Sequence, residues 1–463
     1  VMKLEKIKNY KKIIIGGLIT VGIIITLILM TSKAKYKNIQ SIHLASGTIT
    51  YKPYDYKIVA MYKNDGSGDV RITSMPTSWY KLNESKSFCY TTNVNVHTTG
   101  ISIYTNSSGE HIINTNGTKK NKCYLYFDKK LDLVADIKSK SRGTKTSFTG
   151  VATSSDTGIY SAPDDYGTSY YFRGLETDLD NWVKFAGFYW RIIRINGNNT
   201  IRMIYQGKAS GNPSSANKTG TTTQINGSTY SYNVFNTDNG YAGYMIGIDS
   251  KLIASTSTSY NQAHTNTYDS NAKKKVDSWY KTNIADKGFS SYIDTNTGFC
   301  NDREVASEHS KFSGEGYGAY DTIYKPSDRV YMSNMVATKT TVTPTLQCAN
   351  KSRDLFTVSS ANLGNKKLTY PIGLITMDET IYAGGFRKND LNKKYYLYTN
   401  QTYWTMTPSH YSDNRIAVFY VGDSGTVFQY AVYESYGLRP VINLKSSTKF
   451  TGSGSESDPY VVV

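Results

Sequence analysis

The longest apolar stretch of the chain lies close to its N-terminus. Ile13 to Met30 is an 18-residue run without a charged side chain. As a helix it would span roughly 27 Å, about the thickness of the hydrocarbon core of a bilayer. Lysines are more frequent before the run than after it, which predicts a cytoplasmic N-terminus and an exported C-terminal part. The flanking lysines are Lys3, Lys6, Lys8, Lys11 and Lys12 before it, and Lys33, Lys35 and Lys37 after it.

A cleaved signal peptide is the competing interpretation of the same stretch. Ser32-Lys33-Ala34 has the small-x-small pattern of a processing site. The apolar run is longer than the roughly 7–15 residues usual in such peptides, so we expect an anchor. Either interpretation places the rest of the chain outside the cell, in a single-pass cell-membrane protein or its released form.

Beyond the apolar run, the hydrophobic positions alternate in short segments. Residues 46–140 contain seven runs of this kind separated by Gly- and Asn-rich turns, which predicts a β-sandwich domain. Residues 141–160 are rich in Ser, Thr and Gly and indicate a linker. Residues 161–463 then form a second domain, in which 206–240 is a low-complexity surface insertion.

Three patterns organise the second domain. An Asn196-Gly197 turn between aromatic and β-branched runs predicts a hairpin over 188–205. The segment 276–284 places four apolar side chains on one side of a helix. Near the C-terminus, 415–421 and 426–434 flank the turn Gly422-Asp423-Ser424-Gly425, and 436–444 supplies a last strand. The fold class is therefore mainly β with some α.

Composition and charge narrow the functional classes. The chain has 463 residues, of which 39% are hydrophobic, enough for a real core and too many for wholesale disorder. The net charge is +17, and removing residues 1–37 leaves +10 on the exported part. These charges are scattered, apart from Lys273-Lys274-Lys275 and Lys393-Lys394. We therefore expect affinity for an anionic envelope and not for nucleic acid.

Four cysteines occur as two separate pairs. Three pairings are possible in principle, and Cys89 with Cys123 and Cys300 with Cys348 is the economical one. Such disulfides fit an oxidising, extracellular location, whereas in a reducing compartment the cysteines would be buried thiols.

The closing segment resembles a known fold. Trp404-Thr405-Met406-Thr407-Pro408, the Gly-Asp-Ser-Gly turn and Tyr436-Gly437-Leu438-Arg439-Pro440 resemble the end of C-type-lectin-like domains. The nearest are the formylglycine-generating-enzyme-like type, which includes the variable proteins of diversity-generating retroelements. The runs 189–197 and 370–376 also resemble uncharacterised membrane-anchored surface proteins of Gram-positive bacteria. The lectin-like resemblance covers about residues 165–447.

This resemblance implies a terminal strand that returns beside the first strands, with long loops forming a ligand surface. The implied ligand-binding residues are Tyr403, Trp404, His410, Tyr411, Asp413, Asn414, Arg415, Tyr420, Tyr430, Tyr433 and Glu434. Tyr, Trp and Arg are enriched in binding hot spots, so we expect Trp404, Tyr411 and Arg415 to be the main contacts. We expect Arg439 to be a structural ion pair or carbonyl clamp.

Catalytic and metal signatures are weak. The reactive cysteine pair and the calcium-binding triplets of the resembling families do not occur, and the sequence has no HExxH and no GxSxG. Asp164-Asp165 and Asp378-Glu379 would point to opposite faces of a strand. The patch Glu176, Asp178, Asp180 and Asn181 could hold calcium, but a solvated turn explains it equally well. We expect surface positions for His97, His111, His264, His309 and His410.

These observations predict a non-catalytic, extracellular ligand-binding or adhesion protein without cofactor or metal. Its partners would be the membrane, through Ile13 to Met30, and an extracellular glycan or protein. A self-associating component of the envelope or an appendage is the first alternative. An envelope hydrolase is the second, because a catalytic triad is defined by geometry and not by sequence spacing.

Overall fold

The computed structural model describes residues 41–44, 47–50, 57–65, 68–76, 80–105, 111–114, 122–225, 230–233, 237–249, 258–306, 316–317, 321–330, 341–358, 363–387 and 391–463. The chain divides into two compact units, Val1–Lys130 and Leu131–Val463. Both are built mainly from strands, and the second also contains short helices. The prediction of a mainly β fold with some α is confirmed.

The described residues of the first unit form a six-stranded sheet and two separate two-stranded hairpins. The central strand of the larger sheet, β10 (Lys122–Lys129), pairs in parallel with β3 (Lys57–Asn64) and antiparallel with β5 (Tyr80–Leu82) and β6 (Phe88–Tyr90). The strands are β1 (Ser41–Leu44), β2 (Gly47–Thr50), β3 (Lys57–Asn64), β4 (Asp69–Ile72), β5 (Tyr80–Leu82), β6 (Phe88–Tyr90), β7 (His97–Thr99), β8 (Ser102–Thr105), β9 (His111–Asn114) and β10 (Lys122–Lys129).

One face of this sheet carries the core of the unit. Along β10 the burial alternates, so that Cys123, Leu125 and Phe127 point inward. Ile101 and Ile113, from the β8–β9 region, belong to the same cluster. Cys89 and Cys123 are directly opposite each other on β6 and β10 and form the predicted disulfide.

The second unit has six short helices and twenty strands among its described residues. The helices are α1 (Leu133–Ser139), α2 (Ser215–Lys218), α3 (Tyr260–Ala263), α4 (Asn271–Tyr280), α5 (Lys325–Val330) and α6 (Met377–Ala383). The strands are β11 (Ser141–Thr144), β12 (Gly158–Asp164), β13 (Gly167–Arg173), β14 (Trp182–Phe185), β15 (Phe188–Ile195), β16 (Ile201–Lys208), β17 (Tyr230–Ser231), β18 (Met245–Ile246), β19 (Tyr268–Asp269), β20 (Phe299–Cys300), β21 (Thr322–Ile323), β22 (Leu355–Phe356), β23 (Phe386–Arg387), β24 (Tyr403–Ser412), β25 (Arg415–Val421), β26 (Thr426–Ala431), β27 (Ser435–Tyr436), β28 (Val441–Leu444), β29 (Phe450–Thr451) and β30 (Tyr460–Val462).

A large sheet built on the β15–β16 hairpin organises this unit. The hairpin is the one that Asn196-Gly197 predicts, and every residue of β15 is buried. Two late strands return to it, because β28 pairs with β16 and β30 pairs in parallel with β14. These two pairings bring the C-terminal part of the chain back into the sheet that the early strands of the unit form.

A second sheet contains the predicted C-terminal hairpin. Its order is β21-β24-β25-β26-β23, and β25 and β26 flank the Gly422–Gly425 turn as predicted. The helix predicted over 276–284 also exists, although it begins earlier, at Asn271, where Ser270 caps its first turn. Its apolar stripe is buried as expected: Val276, Trp279, Tyr280 and Ile284.

Arg439 and the second disulfide also match their predictions. The Arg439 guanidinium donates to the Tyr205 carbonyl (3.2 Å), the Leu397 carbonyl (3.0 Å) and the Gln206 side chain. It therefore joins the large sheet to the segment before β24. Cys300 and Cys348 form the other disulfide.

A buried cluster of charges joins the large sheet to helix α6. Glu379 Oε1 lies 3.0 Å from Arg194 Nε on β15 and 2.5 Å from Arg202 Nε on β16. Glu379 also belongs to the capping box of α6, since its Oε2 accepts the Thr376 backbone N–H at 3.0 Å. Burial by itself would raise the pKa of Glu379, but Arg202 and Arg194 outweigh it and hold the pKa at about 2.

Two predicted boundaries differ from the structure. The units divide at Lys130, ten residues earlier than predicted, and the predicted linker 141–160 contains β11 and the buried Phe148. In the predicted surface insertion 206–240, several described polar side chains are buried, including Gln206 and Asn239. Gln206 Nε2 donates to the Asn217 carbonyl (2.6 Å) and Asn239 Nδ2 donates to the Thr322 hydroxyl (3.1 Å). A Ser/Thr/Asn-rich composition therefore did not mean exposure.

The predicted membrane span, Ile13 to Met30, lies outside the described residues. No helix in the described part of the chain has the length and apolar character that crossing a bilayer requires.

We predict that Glu379→Gln destabilises the second unit by about 3–5 kcal/mol, because it leaves two buried guanidinium groups without their shared carboxylate. A depressed carboxyl pKa contributes stability above its unfolded value of about 4.5, and that contribution is lost as the pH falls toward 2. Denaturant unfolding followed by tryptophan fluorescence measures the difference between variant and wild type as a function of pH.

Glu456→Gln is the matched control, since Glu456 is exposed and pairs only at the surface with Lys218. Its unfolding should be close to that of the wild type. An unchanged midpoint for Glu379→Gln at neutral pH would contradict the importance of the cluster.

Candidate functional site

Four connecting segments of the second unit meet around an open cleft. They are the turn at 175–180, the loop 211–219 after β16, the segment 393–398 before β24, and the β29–β30 turn at 455–457. All four belong to the described part of the chain. The cleft has two halves, which share Glu176 and Thr177.

One half of the cleft is basic. It has a volume of about 460 Å³ and is lined by Lys218, Lys393 and Lys394, with Glu176 as its one carboxylate among the described lining residues. Tyr395 and Tyr398 contribute aromatic surface to the same wall. Lysine ammonium groups are flexible point charges that bind phosphate and carboxylate groups.

The other half is acidic. It has a volume of about 540 Å³, and Glu176, Asp180 and Glu456 supply its charges. Asn212 and the serines of the 455–457 turn add uncharged polar groups. Clefts of this size, between 300 and 1,000 Å³, are typical of sites for small ligands.

A buried arginine positions the carboxylate that the two halves share. Arg191, on β15, forms an ion pair with Glu176 and donates to Asn181 Oδ1 at 2.6 Å. Its guanidinium stacks on Trp182, 4.2 Å from the ring centroid. Arg191 is fully buried within the large sheet. Its ion pair with Glu176 therefore fixes the position of the Glu176 carboxylate.

An exposed ion pair lies where the two halves meet. Lys218 Nζ is 2.6 Å from Glu456 Oε2, and the two side chains are 31% and 46% exposed. An ion pair this exposed contributes about 0–1 kcal/mol. An anionic group of a ligand can therefore replace Glu456 as the partner of Lys218 at a small cost in free energy.

Hydrogen bonds hold the loops that form the walls. In the loop after β16, Asn217 Nδ2 donates to the Lys208 carbonyl (3.0 Å) and Gln206 Nε2 donates to the Asn217 carbonyl (2.6 Å). The lysine-bearing segment is held by the predicted Gly422–Gly425 turn. A Cβ on Gly425, whose φ is +77°, would lie 1.9 Å from the Asn392 carbonyl oxygen, so only glycine allows this approach.

The predicted ligand-binding residues do not form one surface. Tyr403, Trp404 and Tyr411 are fully buried. Trp404 packs against Tyr232 and Tyr436, and Tyr411 donates its hydroxyl to the Thr237 carbonyl at 3.0 Å. These three side chains are part of the core and present no surface to a ligand, contrary to the expectation for Trp404 and Tyr411.

The other predicted residues are at least partly accessible. Asp413, Asn414 and Arg415 are exposed at the β24–β25 turn, where Asp413 and Asn414 have positive φ of 49° and 58°. Tyr430 and Tyr433 are 44% and 42% exposed. His410, Tyr420 and Glu434 are half-buried, and Tyr420 lies toward the opposite end of its strand from Arg415.

The acidic patch does not form the calcium site considered above. Asn181 is buried and bonds to Arg191 and to the Ile192 carbonyl, and Glu176 is paired with Arg191. The expectation for histidine is also wrong at His264, whose side chain is buried. His410 is half-buried, His309 lies outside the described residues, and no side-chain environment is described for His97 or His111.

Charged residues that the sequence analysis set aside converge on a buried cavity of about 30 Å³. Asp164, Asp165, Asp378 and Glu379 all line it. The expectation that the two members of each adjacent pair point to opposite faces is therefore wrong. Arg329 forms a double hydrogen bond with Asp378, at 2.7 Å for both contacts, and lies 2.8 Å from Asp302. The volume suits one or two water molecules, and the paired charges around it form a buried network.

Comparison with known proteins adds one match. Residues 329–446 match the model of a domain of unknown function, DUF6273, over about a quarter of the chain. No curated protein and no solved structure gives a significant match. The matched segment contains α6 with Glu379, the C-terminal hairpin, and the lysine-bearing wall of the cleft.

The buried cavity generates a prediction about pH. Burial, with smaller contributions from Asp354 and Asp378, raises the pKa of Asp302 to about 6 despite the opposing effect of Arg329. A carboxyl group with a raised folded pKa destabilises the fold as the pH rises from about 4 to about 7, here by about 3 kcal/mol. We expect Asp302→Asn to remove this loss, so that the variant gains stability relative to wild type across that pH range.

The measurement is the difference in unfolding free energy between Asp302→Asn and wild type at several pH values. The lost contact with Arg329 changes this difference by the same amount at every pH. It therefore does not affect how the difference varies with pH. Asp286→Asn, at an exposed position, is the control and should follow the wild-type pH dependence. Parallel curves for Asp302→Asn and wild type would show that Asp302 does not titrate in this range.

Proposed function

We propose that this protein is a membrane-anchored, extracellular, non-catalytic binding protein for an anionic polymer of the cell envelope. In this proposal Ile13 to Met30 anchors the chain with its N-terminus in the cytoplasm. The two disulfides support an oxidising compartment, and the positive charge outside residues 1–37 supports an anionic partner.

For the folds of the two units, we propose a β-sandwich followed by a C-type-lectin-like domain. The packing of Ile101 and Ile113 against the sheet supports the first. The return of β28 and β30 into the large sheet supports the second. In such a domain the long connecting segments carry the ligand surface, and the four that line the cleft are of this kind.

One observation carries the functional proposal: the four-segment cleft has a basic half and an acidic half side by side. In the proposed complex, Lys393, Lys394 and Lys218 bind the phosphate or carboxylate groups of a polymer. Glu176 and Glu456 accept hydrogen bonds from its hydroxyl or amino groups. Tyr398 offers a half-exposed ring on which a sugar or glycerol unit can pack.

The test is binding of a fluorescent poly(glycerol phosphate) oligomer to the full chain in detergent, measured by fluorescence anisotropy. We predict that Lys393→Glu/Lys394→Glu weakens binding at least 10-fold, because two attractive charges become repulsive. The affinity should fall with salt, since exposed charges are screened. A neutral dextran of similar length should bind weakly to every variant.

Lys274→Glu/Lys287→Glu is the matched control, because it makes the same change in net charge at two exposed lysines outside the cleft. An equal loss of affinity in the two double variants would mean that only general charge attraction holds the polymer. That result would contradict binding in the cleft. Loss of binding in Arg415→Ala and Tyr433→Ala, with the lysine variants unaffected, would instead assign the ligand to the exposed part of the predicted hairpin surface.

A further inference from the structure

Away from the cleft, three metal-ligating side chains converge in the second unit. They are His264, which follows α3, Glu304, which follows β20, and Asp354, which precedes β22. One ligand atom from each of them lies within 4.8 Å of those from the other two. His264 and Asp354 are buried and Glu304 is partly buried.

The chain preorganises the two carboxylates. Phe299 and Cys300 of β20 pair with Phe356 and Leu355 of β22, and the Cys300–Cys348 disulfide joins the same two segments. Glu304 and Asp354 lie a few residues from these joined positions. Their separation is therefore set by a strand pair and a covalent bond, and not by loop conformation alone.

The tautomer of His264 is fixed by its backbone contact. Nδ1 lies 2.7 Å from the Tyr260 carbonyl oxygen, which can only accept, so Nδ1 carries the proton. In the neutral ring, Nε2 then presents a lone pair. This is the arrangement that metal-bound histidines commonly show.

Nε2 is buried and has no hydrogen-bond partner among the described residues, and it faces Asp354 Oδ2 at 3.4 Å. An imidazolium–carboxylate hydrogen bond would be shorter, about 2.7–2.9 Å. Two ligands of one tetrahedral zinc ion, each about 2.0–2.1 Å from the metal, lie about 3.4 Å apart. The observed separation therefore fits a shared cation better than a shared proton.

Each carboxylate keeps an oxygen for a metal. Glu304 Oε1 accepts from the Tyr260 hydroxyl and from Asn350 Nδ2 (2.9 Å), so that Oε2 has no hydrogen-bond partner among the described residues. Asp354 Oδ1 binds the Arg303 guanidinium, while Oδ2 accepts one backbone N–H (2.9 Å) and faces His264. Such surrounding contacts orient ligands in established metal sites.

We propose that His264, Glu304 and Asp354 bind a divalent transition-metal ion of the zinc class. One imidazole nitrogen and two carboxylate oxygens are a donor set that suits zinc better than calcium, which prefers oxygen alone. Three protein ligands leave a fourth position for water or another small ligand. The site is separate from the proposed polymer cleft and does not depend on it.

The experiment is calorimetric titration of the full chain, first stripped with a chelator, with ZnCl₂. A parallel titration with CoCl₂ uses the visible absorption of tetrahedral cobalt as its readout. We expect one equivalent of zinc per chain and at least 10-fold weaker binding in His264→Gln and in Glu304→Gln. Zinc should also raise the melting temperature of the wild type more than that of either variant, because the ion binds the folded state.

His410→Gln and Asp286→Asn are the matched controls and should bind zinc as the wild type does. Zinc binding that persists unchanged in His264→Gln and Glu304→Gln would place the ion elsewhere and overturn the proposal. The absence of zinc binding in the wild type would overturn it as well. If either ligand variant fails to fold, the cobalt spectrum of the wild type still decides, because a non-tetrahedral spectrum contradicts the proposed ligand set.

Discussion

The second unit depends most on the buried ion pairs of Glu379 with Arg194 and Arg202. The Glu379 carboxylate pairs with these two arginines on neighbouring strands of the large sheet and completes the cap of helix α6. Asp164, which pairs with Arg194 at 2.8 Å, supplies the second negative charge. Charges this deeply buried are tolerated only when they are paired, so the sheet and the helix have one favourable relative position. On the same strand as Arg194, Arg191 pairs with Glu176 at the centre of the cleft. The strand that organises the core therefore also positions a ligand-facing carboxylate.

Local patterns in the sequence were sufficient for much of the fold. The Asn196-Gly197 and Gly422–Gly425 turns and the stripe of helix α4 follow from short-range chemistry. The two disulfides follow from the economical choice among three pairings. The buried charge cluster could not be predicted in this way, because Arg194, Arg202 and Glu379 are separated by up to 185 residues and meet only through topology. An Arg or Glu in the sequence is by default exposed, and nothing local marks the exceptions.

The candidate site was predicted less well, for two physical reasons. Residue type led to Trp404 and Tyr411 as contacts, yet large aromatic side chains fill cores as readily as they form binding surfaces. Composition predicts a surface insertion for the loop after β16, whereas its buried Asn217 bonds to the buried Gln206 of β16 and fixes one wall of the cleft. The local signal for the cleft was the adjacent pair Lys393 and Lys394, ten residues before Trp404.

The central claim is that the ligand occupies the four-segment cleft, and hydrogen–deuterium exchange of the full chain with and without poly(glycerol phosphate) tests it directly. The account predicts that exchange slows in 175–180, 211–219, 393–398 and 455–457, because these segments become ordered against the polymer. Protection confined to the β24–β25 turn and to the residues around Tyr430 and Tyr433 would contradict it and place the ligand on the hairpin.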